Sequence, residues 1–134
     1  MRGVTLLELM VVVAIMALAT AGVSLALRDA PNAQLEREAD RLAALLEAGR
    51  AASRASGVPV RWMATPEGFW FEGLPAQTLP GNWLASSISV QSTQPISLGP
   101  EPIIGAQAVV LSIRDAPERS VRIASDGLRP FAVQ

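Results

Sequence analysis

Gly3-Val4-Thr5-Leu6-Leu7-Glu8-Leu9 leads into the most apolar stretch of the chain, and from Leu9 to Leu27 (Leu-Met-Val-Val-Val-Ala-Ile-Met-Ala-Leu-Ala-Thr-Ala-Gly-Val-Ser-Leu-Ala-Leu) 19 residues pass without a charge. Counted from Val4 the segment is 24 residues long, about 36 Å as a helix at roughly 1.5 Å per residue. A hydrocarbon layer of about 30 Å is crossed by that length with some tilt. At Arg28 and Asp29 the composition changes to that of a soluble protein. The pattern predicts one N-terminal membrane span followed by one globular head.

Three plainer readings compete. The segment resembles a removable signal peptide, with Arg2 before it and Ala17, Ala19 and Ala21 offering a small-residue cleavage site. It also fits a signal anchor or a buried core helix. Glu8 argues against all three, because a carboxylate in a membrane helix costs on the order of 2.5–3.5 kcal/mol at mid-bilayer and calls for a partner. Cutting the chain between Gly3 and Val4 would supply one. Val4 would then carry an ammonium one helical turn from Glu8, and two helices side by side with a small axial offset could pair the ammonium of one with Glu8 of the other. The low dielectric that makes the lone charge costly strengthens the pair.

The run from Gly3 to Leu9, followed by an uninterrupted apolar helix, resembles the class III signal of type IV pilins and type II secretion pseudopilins. That resemblance implies cleavage after Gly3 by a membrane prepilin peptidase, N-methylation of Val4, and a role for Glu8 in assembly. Thr5 and Leu6 also match. The chain departs from the family in having Val4 where the first mature residue is usually Phe, and in a leader of only Met1-Arg2-Gly3. The implied location is the inner membrane, single-pass, with the head in the periplasm.

The remaining composition excludes much. The 134 residues make one small domain. A net charge of -1 argues against a strongly basic nucleic-acid binder. With neither His nor Cys the chain has no imidazole or thiolate metal site, no disulfide, and no Ser-His or Cys-His catalysis. All 11 basic residues are Arg. No pattern of paired acids in distinct settings points to an enzyme, and Asp115 and Glu118 read as a solvated loop. The expectation is a non-enzymatic chain without metal or cofactor.

Pro31 predicts a kink or break shortly after the span. From Ala33 to Ser56 helical periodicity returns: Leu35, Ala39, Leu42, Leu46 and Gly49 fall on one face, while Glu36, Arg37, Asp40, Arg41, Glu47 and Arg50 fall on the others. Glu38-Arg41 and Glu47-Arg50 are spaced to pair, and Gly57 is a plausible stop. Strands are expected at 58–63, 69–72, 87–91, 109–113, 121–125 and 128–133, with Asp126-Gly127 as a two-residue hairpin turn. Residues 73–85 read as a loop anchored by Trp83. Trp62, Trp70, Phe69, Phe71 and Phe131 read as core. The fold class is therefore α+β and pilin-like: a leader over 1–3, a transmembrane helix over 4–27, its amphipathic continuation over 28–57, and a β-rich head over 58–134. The long helix packs on a predominantly antiparallel sheet of six to eight short strands.

The head resembles the H-type minor pseudopilins of type II secretion, the GspH family, which takes in the pilin-like FimT and FimU proteins. The resemblance is carried by the helix Glu38 to Leu46 with Ala51 to Gly57, by Gly68-Phe69-Trp70-Phe71, by Trp83, by Ile96 to Ile104 and by Ser125 to Phe131. It implies a subunit near the tip of a short pseudopilus, with the major shaft subunit and other minor pseudopilins as partners, assisting export of folded proteins across the outer membrane. The alternative it leaves open is a minor pilin of a type IV or competence pilus that binds DNA. Arg50, Arg54 and Arg61, in an acid-free stretch, would then be contacts to nucleic acid, with Arg119, Arg122 and Arg129 as a second cluster near the C-terminus.

Overall fold

The computed structural model describes Gly3, residues 5–92 and residues 94–134. Met1 and Arg2 of the expected leader, and Val4, the expected site of methylation, lie outside the described residues. The chain divides into two compact units, Met1–Ala33 and Gln34–Gln134.

Helix α1 (Leu6–Ser56) runs through both units. Pro31 does not break it: helical assignment continues on either side. Proline removes one i→i−4 bond, and the neighbouring bonds suffice to carry the helix past it. In the first unit every large apolar side chain from Leu6 to Leu27 is exposed, Leu6 at 75% and Leu18 at 74%.

In the second unit Leu35, Ala39, Leu42, Ala43 and Leu46 are buried along one face, as their spacing predicts. Gly49 continues that face at the closest approach to the sheet. A methyl group there would come within 2.8 Å of Leu98 Cδ1 and 3.0 Å of Phe71 Cε1, so only glycine fits without displacing both. The helix ends where Gly57 takes a positive φ of 71° and its N–H donates to the Ser53 carbonyl at 2.8 Å.

Seven strands follow among the described residues: β1 (Val60–Ala64), β2 (Phe69–Glu72), β3 (Ile88–Val90), β4 (Ile96–Gly99), β5 (Gln107–Ile113), β6 (Ala116–Ser125) and β7 (Ala132–Val133). They form a three-stranded sheet in the order β2-β1-β4 and a four-stranded sheet in the order β3-β5-β6-β7. Every pairing is antiparallel. Alternation places Trp62, Phe69, Phe71, Leu98, Leu111 and Ile123 inward against the helix. The same period turns Trp70 outward, 47% exposed, which corrects its expected place in the core.

Three further expectations change. Ile96–Gly99 is a strand pairing with β1, although Pro95 and Pro100 flank a run too short to show a period. The segment read as a solvated loop around Asp115 and Glu118 belongs largely to β6: the hairpin turns at Arg114-Asp115, and Pro117 and Glu118 lie in the strand. Asp126-Gly127 does not make a two-residue hairpin. β6 pairs with β7 through Ile123↔Val133 and Ala124↔Ala132, so seven residues, 125–131, separate the innermost pair, and 126–131 form an irregular segment between the strands. Its shape is set by bonds to α1, described below.

Replacing Leu46, fully buried, with alanine should lower head stability by about 2–5 kcal/mol. Denaturant unfolding followed by tryptophan fluorescence checks this, and Leu84→Ala, on an exposed side chain, serves as a neutral control.

Candidate functional site

The N-terminal site is built around the first turn of α1. Thr5 caps the helix: its Oγ1 accepts the N–H of Glu8 at 3.2 Å, and its carbonyl accepts the N–H of Leu9 at 3.0 Å. Thr5-Leu6-Leu7-Glu8 thus has the spacing of a capping box, threonine at the cap and glutamate three residues on. This local role for Thr5 was visible in the sequence as that spacing. The Glu8 carboxylate lies in the first turn, where the helix dipole favours a negative charge. It is exposed and makes no hydrogen bond or ion pair among the described residues. Gly3 is exposed and non-helical, accessible as backbone just before the cap.

Beyond Glu8, Val13, Met16, Ala17, Thr20, Ala21 and Ser24 line a shallow groove along one side of the helix. The Thr20 hydroxyl donates to the Met16 carbonyl at 2.8 Å, so its polar group is satisfied within the helix. A face of small side chains lets another helix approach closely in lipid, where packing drives association. The 18-residue window of greatest hydropathy in α1 has none of its residues buried.

The three arginines proposed as nucleic-acid contacts do not form one surface. Arg50 is 3% exposed. It donates from Nη1 to the Arg129 carbonyl at 3.2 Å, and from Nη2 to the carbonyls of Gly127 at 2.9 Å and Pro102 at 3.2 Å. Glu47 Oε1 lies 3.6 Å from Nη1 and also accepts the Phe131 N–H at 2.8 Å. Arg50 is therefore a staple between the helix and two irregular segments, which corrects the expectation that it lies on a solvated face and could reach a phosphate. Arg61 is exposed but pairs with Glu72 on the adjacent strand, Nε to Oε2 at 2.7 Å. Arg54 is exposed near the end of the helix.

The segment 126–131 is shaped to receive Arg50. Asp126 Oδ1 accepts the N–H groups of Leu128 at 2.9 Å and Arg129 at 2.8 Å. Those donors, Arg129 first, hold the Asp126 carboxyl below its ordinary value of 3.8. Gly127 sits at φ 96° with its Cα against the Ile104 carbonyl, a position that a side chain would fill with a clash. A second buried charge, Glu38, works in the same way at the other end of the amphipathic face. It is 3% exposed, and its Oε1 accepts the N–H groups of Leu84 at 2.6 Å and Ala85 at 3.0 Å. Oε2 lies 3.4 Å from Arg41 Nη1. Sequence reasoning placed Glu38 only in an i,i+3 pair and missed its hold on the loop, since the bonded groups are backbone 46 and 47 residues away.

Residues 1–24 match the family model of the prokaryotic N-terminal methylation motif. The match supports placement in the type IV pilin-like superfamily, and with the exposed apolar helix it supports membrane anchoring through the N-terminus. No curated protein and no solved structure matches the chain.

Two outcomes follow from the staple. Arg50→Ala leaves the buried Gly127 carbonyl and the part-buried carbonyls of Pro102 and Arg129 without this donor and should lower head stability by about 3 kcal/mol in denaturant unfolding. Because Asp126 has a lowered folded value, its contribution is present above 3.8 and is lost as pH falls through the folded value. Asp126→Asn keeps an acceptor oxygen and should remove that part of the acid sensitivity, measured as unfolding midpoint against pH.

Proposed function

We propose that this chain is a structural subunit of a type II secretion pseudopilus, a minor pseudopilin of the H type. In this reading residues 4–27 hold it in the inner membrane and the head lies in the periplasm. The observation that carries the proposal is the exposed Glu8 carboxylate in the first turn of an apolar helix, directly inside a prokaryotic methylation motif. Prepilin peptidase would cut after Gly3 and methylate Val4. The Val4 ammonium of one subunit would then pair with Glu8 of its neighbour, and the groove of small residues would admit the neighbouring helix. Such a subunit works by packing and charge pairing, without a reaction of its own. Its place near the filament tip, beside the other minor pseudopilins, and its part in exporting folded proteins rest on the resemblance of the head.

The alternative, a DNA-binding minor pilin, draws less support from the head. Of the three arginines in its acid-free stretch, Arg50 is buried and Arg61 is held by Glu72.

N-terminal analysis of membrane-extracted protein should give N-methylated Val4 as the first residue. Glu8→Val should remain processed and membrane-inserted, yet copurify with the other pseudopilins at least several-fold less than wild type. Undiminished copurification would overturn the role of Glu8, and salt-sensitive DNA binding by the full chain at micromolar concentration would favour the alternative.

A further inference from the structure

We infer that the cleft between β3 and the β1–β2 turn is a docking groove for an extended peptide segment bearing a carboxylate. The groove lies wholly within the head and does not depend on the filament reading.

β3 is the outermost strand of its sheet. The Arg114 N–H donates to the Ser87 carbonyl at 2.7 Å, and the Gln91 N–H donates to the Val110 carbonyl at 2.9 Å. These bonds set the phase of the ladder. Residues 87, 89 and 91 direct their backbone groups toward β5, so those of Ile88 and Val90 point the other way, to the open edge. The Ile88 N–H is engaged by the Ala85 carbonyl at 3.4 Å. Ile88 is 1% exposed, which closes its carbonyl to a partner, so the Val90 N–H and carbonyl remain as one donor and one acceptor on the edge. Native edges are commonly blunted by shortness, charge, proline or a bulge, and Ile88-Ser89-Val90, three residues long, carries none of the last three.

That edge borders a cavity of about 240 Å³ that is also lined by Ala64, by Thr65 and Pro66 of the β1–β2 turn, and by Trp83, Ser92 and Arg114. That turn cannot pair with β3 itself. The Thr65 N–H donates to the Gly68 carbonyl, its hydroxyl accepts the Gly68 N–H, and Pro66 has no N–H. The half-buried Trp83 is fixed against Phe69, with ring centroids 4.7 Å apart, and offers a rigid apolar surface.

Arg114 supplies the charge. Its guanidinium is exposed and makes no hydrogen bond or ion pair among the described residues, whereas those of Arg41, Arg50 and Arg61 are all engaged. It also lines an adjoining cavity of about 370 Å³, whose lining includes Glu67. A carboxylate is therefore favoured in the first cavity, which Arg114 lines without an acid, over the second, which Glu67 shares. The exposed Asp115 follows Arg114 in the chain at the hairpin turn. The combination fits a polypeptide better than a nucleic acid: the Val90 N–H and carbonyl can take one residue of an extended backbone, and a planar guanidinium takes a carboxylate through two parallel bonds.

The test uses the full-length protein in detergent micelles and fluorescein-labelled Thr-Val-Thr-Val-Asp, followed by anisotropy. Saturable binding is expected, weakened about tenfold or more by Arg114→Gln and by replacing the peptide's Asp with Lys. Each tenfold change corresponds to about 1.4 kcal/mol. A peptide N-methylated at both valines, which cannot add to the edge, should bind at least tenfold more weakly. Val90→Pro should do the same while leaving the ladder to β5 intact, with circular dichroism confirming the fold. Absence of saturable binding overturns the proposal. So does binding indifferent to both Arg114→Gln and N-methylation, or displacement of the peptide by oligothymidylate at equal affinity.

Discussion

Two sheets that share no strand are held in one head by a single apolar face of α1, and that packing is the condition on which the rest of the head depends. Leu35, Ala39, Leu42 and Leu46 lie in one continuous core with Trp62, Phe71 and Leu98 from the three-stranded sheet and Val109, Leu111 and Ile123 from the four-stranded one. Apolar burial supplies the driving force but no directional information. Direction comes from two buried charges toward the ends of the face. Glu38 draws in the backbone at Leu84 and Ala85, and Arg50 gathers the carbonyls of Pro102, Gly127 and Arg129. A buried charge is tolerated only when its hydrogen-bonding capacity is met, so each fixes an irregular segment that no sheet ladder would otherwise order.

The N-terminal unit obeys the opposite rule. Its helix presents apolar side chains outward, and its polar atoms are either satisfied locally, as at Thr20, or left available, as at Glu8. Thr5 satisfies a helix-end N–H that would be costly to leave unpaired in lipid. The Glu8 side chain is left free to meet a partner. Capping and assembly thus draw on different atoms of the same four-residue run: the Glu8 backbone for the cap, its carboxylate for the neighbour proposed above.

Legibility in the sequence followed the range of the interaction. The amphipathic face of α1 and the stop at Gly57 were readable because period and backbone propensity are local properties. Alternation also sorted Phe69 and Phe71 inward, and applied strictly it would have turned Trp70 outward. Ile96–Gly99 is too short for a period to show, and it is a strand because β1 offers an edge. Asp126-Gly127 carries a strong hairpin signal, yet Arg50, 77 residues away from Gly127, holds the glycine carbonyl and the chain reaches β7 by a longer path.

By itself the sequence determined the anchor, the anomalous carboxylate within it, the helix register and most of the strands, because these depend on hydrophobic period and residues near one another along the chain. Tertiary structure decided which charges are working surface and which are internal ties. Arg50, Arg61 and Arg114 are the same side chain by composition. One is buried among carbonyls, one is paired across a strand, and one is left facing a cleft, and only the distances between segments remote in sequence distinguish them.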